Sequence, residues 1–445
     1  MNTPIADFVK KYADSQMTRF HMPGHKGRSF LGCEAFDITE VKGADSLYEA
    51  EGIIAKSEEN ATSLFGTERT IYSTEGSSQC IRAMLYLALT YKNKKRNKKP
   101  YVLAARNVHK AFLYAVALLD LEVVWLYPKQ MHSLCSCEIT ATEVEAELKK
   151  HKEMPIAVYL TSPDYLGGQV DIQGISEVCH KYQTILAVDN AHGASLHFLK
   201  KPQHPMDLGA DICSDSAHKT LPVLTGGAYL QISKNAPKYF SENAKQAMAL
   251  FGSTSPSYLI MSSMDLCNSF LEGEFREKLE KTVENVQNAR ELLRKNGWQV
   301  EKTEPLKLVV NSPEKFSGYD LADKLRQHHI ECEYADSKYV VFMVSTQNDE
   351  EELDKLIQAF GKNEYGQSGK ELLEPVKSNQ AISIRQAIFS EAKRLNVEEA
   401  QGKICAATTV ACPPAIPIVI SGEIITEEAI HLLEYYGIKE VEVVN

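Results

Sequence analysis

A lysine among small hydroxyl and imidazole side chains is the first group with chemistry to offer. Ser216-Ala217-His218-Lys219-Thr220 follows the apolar run 212–214. A lysine amine can condense with an aldehyde, although the ordinary fate of a lysine is a solvated surface position. Thirty residues earlier, Asp189-Asn190-Ala191-His192-Gly193 ends the run 184–188. That separation is about one strand–helix–strand unit, so both clusters can sit on neighbouring strand ends; an aspartate there also serves as a plain helix cap. Gly76-Ser77-Ser78 stands between the run 71–73 and the apolar helical stretch 81–91. A helix start of this kind offers backbone N–H donors and a dipole to a phosphate, and an ordinary N-cap writes the same string. Arg106-Asn107-Val108-His109-Lys110 ends the run 101–105, where a lone histidine is more often structural than functional.

Taken together, the four clusters ask for one ligand. It needs an aldehyde for Lys219, a ring nitrogen for Asp189, a phosphate for Gly76, Ser77 and Ser78, and a flat ring for His109. Pyridoxal 5′-phosphate has all four features. A carboxylate beside its ring nitrogen keeps that nitrogen protonated, so the ring can accept electrons from a bond broken at Cα.

The elements that must hold these groups follow from the apolar pattern. Short apolar runs at 101–105, 121–127, 156–161, 184–188, 212–214 and 227–232 alternate with helical stretches. Such runs predict a parallel sheet covered on both faces, with chemistry beyond the carboxyl ends of its strands. Residues 1–50 show little periodicity and read as an arm. A single long amphipathic helix is expected through Leu266, Phe270, Leu279, Val283, Val286 and Leu293, closed by Gly297. Beyond it come strands at 308–310 and 340–344, helices at 321–329 and 351–360, a hydrophilic linker at 361–374, a helix at 382–395 and a Pro-rich stretch at 411–422. The expected division is an arm (1–50), a large cofactor-binding domain (51–260), a connecting helix with a small α/β domain (261–365) and a C-terminal segment (366–445).

Composition excludes several classes. The chain has 445 residues, 44% apolar and 24% charged, which suits a soluble globular protein with a sizeable core. Its 49 Lys+Arg against 59 Asp+Glu give a net charge of −10, the wrong sign for a nucleic-acid binder. No apolar run is long and uninterrupted enough to span a membrane. Asp7, Lys10, Lys11, Asp14 and Arg19 break any N-terminal signal core, and ten cysteines without such a signal read as reduced thiols, so a cytoplasmic location is expected. Cys135 and Cys137, with His132 nearby, form one pair without a second, and no metal is expected.

On these motifs the chain resembles the ornithine/lysine/arginine decarboxylase family, in its short bacterial form. The likeness runs from His21-Met22-Pro23-Gly24-His25-Lys26-Gly27 and Asp37-Ile38-Thr39-Glu40 through the four clusters to Pro413-Pro414-Ala415-Ile416-Pro417 and Gly422-Glu423. It implies an α/β fold-type I pyridoxal-phosphate enzyme, aspartate aminotransferase-like, with a mostly parallel central sheet and a smaller α+β C-terminal region. By position, Lys219 would carry the cofactor as a Schiff base and Asp189 would face its ring nitrogen. His109 would stack on the ring, His192 would lie beside it, and Gly76, Ser77, Ser78, Ser216 and His218 would hold the phosphate. Lys219, or less directly His109, would return a proton to Cα. The family forms dimers with shared active sites, and Ser253-Thr254-Ser255-Pro256 resembles the segment that crosses to the partner. Glu423 resembles a pocket acid, with Asp45 and Glu49 as alternatives from the opposite subunit.

The chain departs from the family pattern in a few places. Glu75 stands where Asn is common, Asn190 where Glu is common, and Gly226 where Gln is common; Cys412-Pro413-Pro414-Ala415 replaces a Tyr-Pro-Pro-Gly string.

The implied reaction is decarboxylation of a basic amino acid in polyamine biosynthesis, most of all arginine to agmatine. An aminotransferase or aldolase-type lyase would use the same cradle. An aminotransferase usually needs a C-terminal arginine to grip the substrate carboxylate, and Arg385 and Arg394 both fall in the patterned stretch 382–395 and read as surface residues. A non-catalytic protein that kept the fold is the third reading, and the complete chemical set argues against it.

Overall fold

Apolar runs bounded by polar residues become strands, and the polar residues at their ends become loops. The computed structural model describes residues 1–92, 99–129, 133–366, 376–407 and 415–445. Its strands are β1 (Arg69–Ser73), β2 (Tyr101–Ala105), β3 (Glu122–Leu126), β4 (Ala157–Thr161), β5 (Ile185–Asp189), β6 (Ile212–Asp215), β7 (Ala228–Ile232), β8 (Lys307–Asn311), β9 (Tyr334–Ala335), β10 (Tyr339–Met343), β11 (Ala392–Asn396) and β12 (Glu440–Val444). The chain folds as two units, one of Met1–Lys94 with Cys179–Glu280 and one of Lys95–Val178 with Lys281–Asn445. Among the described residues no helix is long and apolar enough to cross a membrane.

In the first unit the strand order is β1-β7-β6-β5. β5 and β6 are parallel, as the apolar pattern predicts, but β7 runs antiparallel to both β6 and β1. The connection from β6 to β7 explains the difference. It holds only the one-turn helix Ala217–Thr220, too short to carry the chain back to the start of β6. The helix Ser77–Lys92 buries Cys80, Ile81, Met84, Leu85 and Leu87.

The arm is more ordered than its sequence suggests. It begins with the helix Pro4–Asp14, which buries Ile5 and Val9 one turn apart. Asp265 fixes its start by accepting from Ile5 N at 2.8 Å and Ala6 N at 3.0 Å. The single long helix is in fact two, Tyr258–Glu272 and Phe275–Lys295. Gly273 leaves the helical region between them, and Leu266, expected on the buried stripe, is 54% exposed.

The second unit contains the parallel set β4-β2-β3, the antiparallel set β8-β10-β9 and the pair β11-β12. The helices Gly318–Gln327 and Glu350–Phe360 lie close to their expected positions, each started by a capping box. The helix expected at 382–395 stops at Ile388, and residues 392–396 pair with β12 instead. Pairing with a distant strand overrides the local helical pattern there. The described residues include only part of the linker at 361–374 and of the Pro-rich stretch; Cys412, Pro413, Pro414 and His132 lie outside them.

One buried carboxyl of the second unit links stability to pH. Asp164 is 5% exposed and accepts from Gly168 N at 2.8 Å. Burial pushes its pKa up to about 7. The folded protein therefore holds the proton that the unfolded chain has lost, and this group's stabilisation drains away as pH rises from about 4 through about 7. Asp164→Asn keeps the acceptor and removes the titration. Its loss of stability between about pH 5 and about pH 8 should be smaller than the parent's, by on the order of 3 kcal/mol at most. Denaturant melts at both pH values would show it, and identical pH slopes would contradict the assignment.

Candidate active site

Parallel pairing of β5 with β6 puts Asp189 opposite Ser214. Asp189 is 2% exposed, and Ser214 Oγ approaches its Oδ1 at 3.5 Å. The next residue, Asn190, donates its N–H to Ser214 O at 2.9 Å, holding the two strand ends together. One turn past β6, Lys219 Nζ lies 3.1 Å from His192 Nε2, and His192 comes from the loop after β5. The two sequence clusters thus meet through an amine–imidazole hydrogen bond. A protonated Lys219 donates to His192, so a proton can pass between them.

The third cluster joins them on the same unit. Ser216 Oγ donates to Ser77 Oγ at 2.9 Å, at the start of the helix Ser77–Lys92. Ser78 follows in the first turn of that helix. Gly76 has φ +70°, and the space where its Cβ would project is empty for 4 Å around. Its N–H donates to Gly226 O at 2.8 Å. His218 Nδ1 is 2.9 Å from Gly227 O, so that nitrogen carries its proton toward the carbonyl. A neutral His218 ring then has Nε2 as an acceptor, and only the imidazolium would donate to a phosphate.

The antiparallel β7 gives the Gly226 departure a physical reason. Gly226 has φ +101°, and a Cβ there would lie 2.9 Å from the carbonyl oxygen of Thr74. In this chain the close approach of the two turns demands glycine. Glu75, another departure, accepts from Ser253 N, while Ser255 N donates to Ser253 Oγ at 3.1 Å. Ser253 and Thr254 are exposed next to it. Asp45 is used locally: its Oδ2 accepts from Gly52 N at 2.8 Å and Ile54 N at 3.1 Å, starting the helix Ile53–Phe65. Glu49 accepts from Ser46 Oγ at 2.6 Å.

His109 and Glu423 belong to the second unit. His109 Nδ1 accepts from Ala111 N at 3.1 Å and caps the helix Lys110–Leu118, so a neutral ring carries its proton on Nε2. Glu423, 1% exposed, accepts from Ile420 N at 2.8 Å and lies 3.5 Å from Arg106 Nη2. Burial raises its pKa, and Arg106 works against that rise. Arg106 also donates to Pro417 O at 2.9 Å and Ile418 O at 2.8 Å. Sequence reasoning missed this pair: Arg106 stood in a recognised cluster, but more than three hundred residues separate it from Glu423 and no local pattern connects them.

Ala415 supplies the remaining departure. It has φ +59°, in the left-handed region, where the family string carries glycine, and its carbonyl accepts from Lys110 N at 3.0 Å. An L residue held there is strained by about 1 kcal/mol. Ala415→Gly should therefore stabilise the protein by ~1 kcal/mol, less the extra entropy glycine gives the unfolded chain. A melt that moves down instead would mean that the methyl group packs for more than the strain it causes.

Comparison with known proteins bears on all of this geometry. The model described as "Orn/Lys/Arg decarboxylase, major domain" matches residues 3–341, and the corresponding C-terminal domain matches 364–442. The chain is 27% identical to an arginine decarboxylase of Bacillus subtilis, covering 96% of this chain and 92% of that one. It is 28% identical to an arginine decarboxylase of Halalkalibacterium halodurans, covering 96% and 91%. Among solved structures, Francisella novicida lysine decarboxylase LdcF superposes with a TM-score of 0.80 at 17% identity, over 100% of this chain and 81% of that one. The constitutive lysine decarboxylase of E. coli gives 0.78 at 16% identity, over 100% and 82%. At those identities the two structures show a shared fold.

Proposed function

The chain belongs to the Orn/Lys/Arg decarboxylase family, and from that premise we propose that it removes CO₂ from a basic amino acid, preferring arginine to give agmatine. Lysine or ornithine, giving the corresponding diamine, would be poorer substrates. The observation that carries the reading is the joining of Lys219, His192 and Asp189 across two adjacent strand ends. The setting we propose is a cytoplasmic enzyme of polyamine biosynthesis, in keeping with nine described cysteines that are all unbridged.

The residues present fit pyridoxal phosphate. Gly76 leaves open space beside two hydroxyls at a helix start, and a buried carboxylate stands on the strand end next to the lysine. Gly76, Ser77, Ser78 and Ser216 would hold its phosphate, with His218 joining as the imidazolium. Asp189 would face its ring nitrogen, and His192 and His109 would flank its ring. Bound there, the cofactor supplies an aldehyde for a Schiff base and a ring that takes up the electron pair left when the carboxylate departs.

The remaining work falls to the chain's own side chains. Asp189, buried at the end of β5, would accept a hydrogen bond from a protonated ring nitrogen and so keep that proton in place. Lys219 Nζ, 3.1 Å from His192, can shed or regain a proton through the imidazole and is the donor we propose for Cα. His109 is the second candidate for that donor. Arg385 and Arg394, which an aminotransferase reading would call on, are engaged elsewhere. Arg385 donates to Ala117 O at 2.8 Å, and Arg394 is an exposed residue of β11 lying near Glu440 and Glu442. Both contacts favour decarboxylation over transamination.

For the substrate's far end we propose Glu423. A guanidinium presents a planar fork of donors suited to a carboxylate. The 3.5 Å spacing to Arg106 is too long for a tight charge-assisted bond, leaving Glu423 with acceptor capacity. We also propose at least a homodimer, with the arm and the segment 253–256 completing the partner's site.

Lys219→Ala should fold, lose the visible absorbance band of the bound cofactor and lose at least about a thousandfold in turnover. Asp189→Asn should keep the cofactor and lose roughly a hundredfold or more. Unchanged turnover in either variant would remove that residue's role. In a competition among arginine, lysine and ornithine, CO₂ and amine release should favour arginine, and Glu423→Gln should erode the preference. If lysine or ornithine reacts and arginine yields no agmatine, the substrate assignment is wrong while the reaction class stands. Light scattering on the same holoenzyme should give at least twice the chain mass, and a fully active monomer would contradict the shared site.

A further inference from the structure

Behind the lysine lies a wholly buried polar cluster that the reaction does not use. Asp215, the last residue of β6, is 0% exposed and accepts from three side-chain nitrogens, with the Cys213 thiol a longer fourth donor at 3.8 Å. Asn190 Nδ2 donates to its Oδ1 at 2.6 Å, Gln231 Nε2 to its Oδ2 at 2.9 Å, and His204 Nε2 lies 3.1 Å from both oxygens. Gln231 in turn accepts from Thr70 Oγ1 at 2.5 Å. The chain of bonds therefore crosses β1, β7, β6 and the end of β5 through side chains alone.

Cys213 lies close enough to His204 and Asp215 to suggest a metal site. The histidine argues against one. His204 Nδ1 accepts from Met206 N at 3.2 Å, so the neutral ring carries its proton on Nε2, the atom a metal would need. That proton is directed at Asp215. The cluster is a set of donors converging on one carboxylate.

We infer that Asp215 is a positioning residue, whose carboxylate fixes the spacing between Asp189 and Lys219. Asn190 directly follows Asp189, and Asp215 directly precedes Ser216 and the turn that carries Lys219. The Asn190–Asp215 bond thus ties the chain beside one reactive group to the chain beside the other. In the family pattern an acid is common at position 190; here the acid meets the Asn190 amide from the neighbouring strand. Asn190 Oδ1 is buried without a hydrogen-bond partner, consistent with an amide turned to give its N–H to Asp215.

The inference rests on the function proposed above, and its test separates the two. In cofactor-loaded enzyme, Asp215→Leu should lower kcat at least about tenfold and reduce the induced circular dichroism of the cofactor's visible band, because three donors lose their acceptor. Asp215→Asn should stay within about threefold of the parent, because the Asn190 amide can turn and present Oδ1 to the new N–H. Asn190→Asp sets two carboxylates against each other and should lose at least about tenfold, while adding Asp215→Asn to it restores the acid–amide pair and should recover most of the loss in both readouts. A loaded Asp215→Leu enzyme with parental kcat and dichroism would overturn the inference. So would a double variant no better than Asn190→Asp, or an Asp215→Asn variant as impaired as Asp215→Leu. If the parent itself takes up no cofactor, the proposed function fails first, and this inference with it.

Discussion

The pairing of β5 with β6 is the constraint from which the rest of the site follows. A carboxylate that must meet a ring nitrogen and an amine that must meet an aldehyde lie thirty residues apart in the chain. Parallel register brings Asp189 level with Ser214, and the turn after β6 then carries Lys219 back to His192. The phosphate cradle depends on the same arrangement. β7 returns antiparallel and delivers Gly226 and Gly227 to Gly76 and His218. Without that reversal the glycine turn at the start of the helix Ser77–Lys92 would lack its anchor.

Buried charge is costly, and the first unit manages it by directing donors at each carboxylate. Asp215 takes three side-chain N–H donors and the Cys213 thiol, and Asp265 takes two backbone N–H groups and the Ser57 hydroxyl. Glu58 takes Tyr72 N at 3.0 Å and the Lys245 ammonium at 2.6 Å. Asp189 sits among these acids, with the Ser214 hydroxyl 3.5 Å from its Oδ1.

Much of this was legible in the sequence, because strand ends are written locally. The runs that became β2, β4, β5 and β6 could be read to within a residue or two, and the Ser216–Thr220 and Asp189–Gly193 clusters stood directly after two of them. Other features were written non-locally. The direction of β7 follows from how little helix its connection contains, and β11 exists only because β12 lies beside it. Asp215 looked like an ordinary residue at a strand end, since nothing in its neighbourhood announces His204, Gln231 or Asn190 as partners. The Arg106–Glu423 pair was invisible for the same reason. The departures gained meaning only in three dimensions: Gly226 meets a carbonyl, and Ala415 occupies a backbone region that glycine prefers.

The central claim is that one particular amine carries the cofactor. Borohydride reduction of cofactor-loaded protein, followed by peptide mapping in a mass spectrometer, reads it without reference to turnover. The account predicts a single reduced pyridoxyl-phosphate adduct, on the peptide containing Lys219. An adduct on any other lysine, or none on protein that has taken up the cofactor, would contradict it.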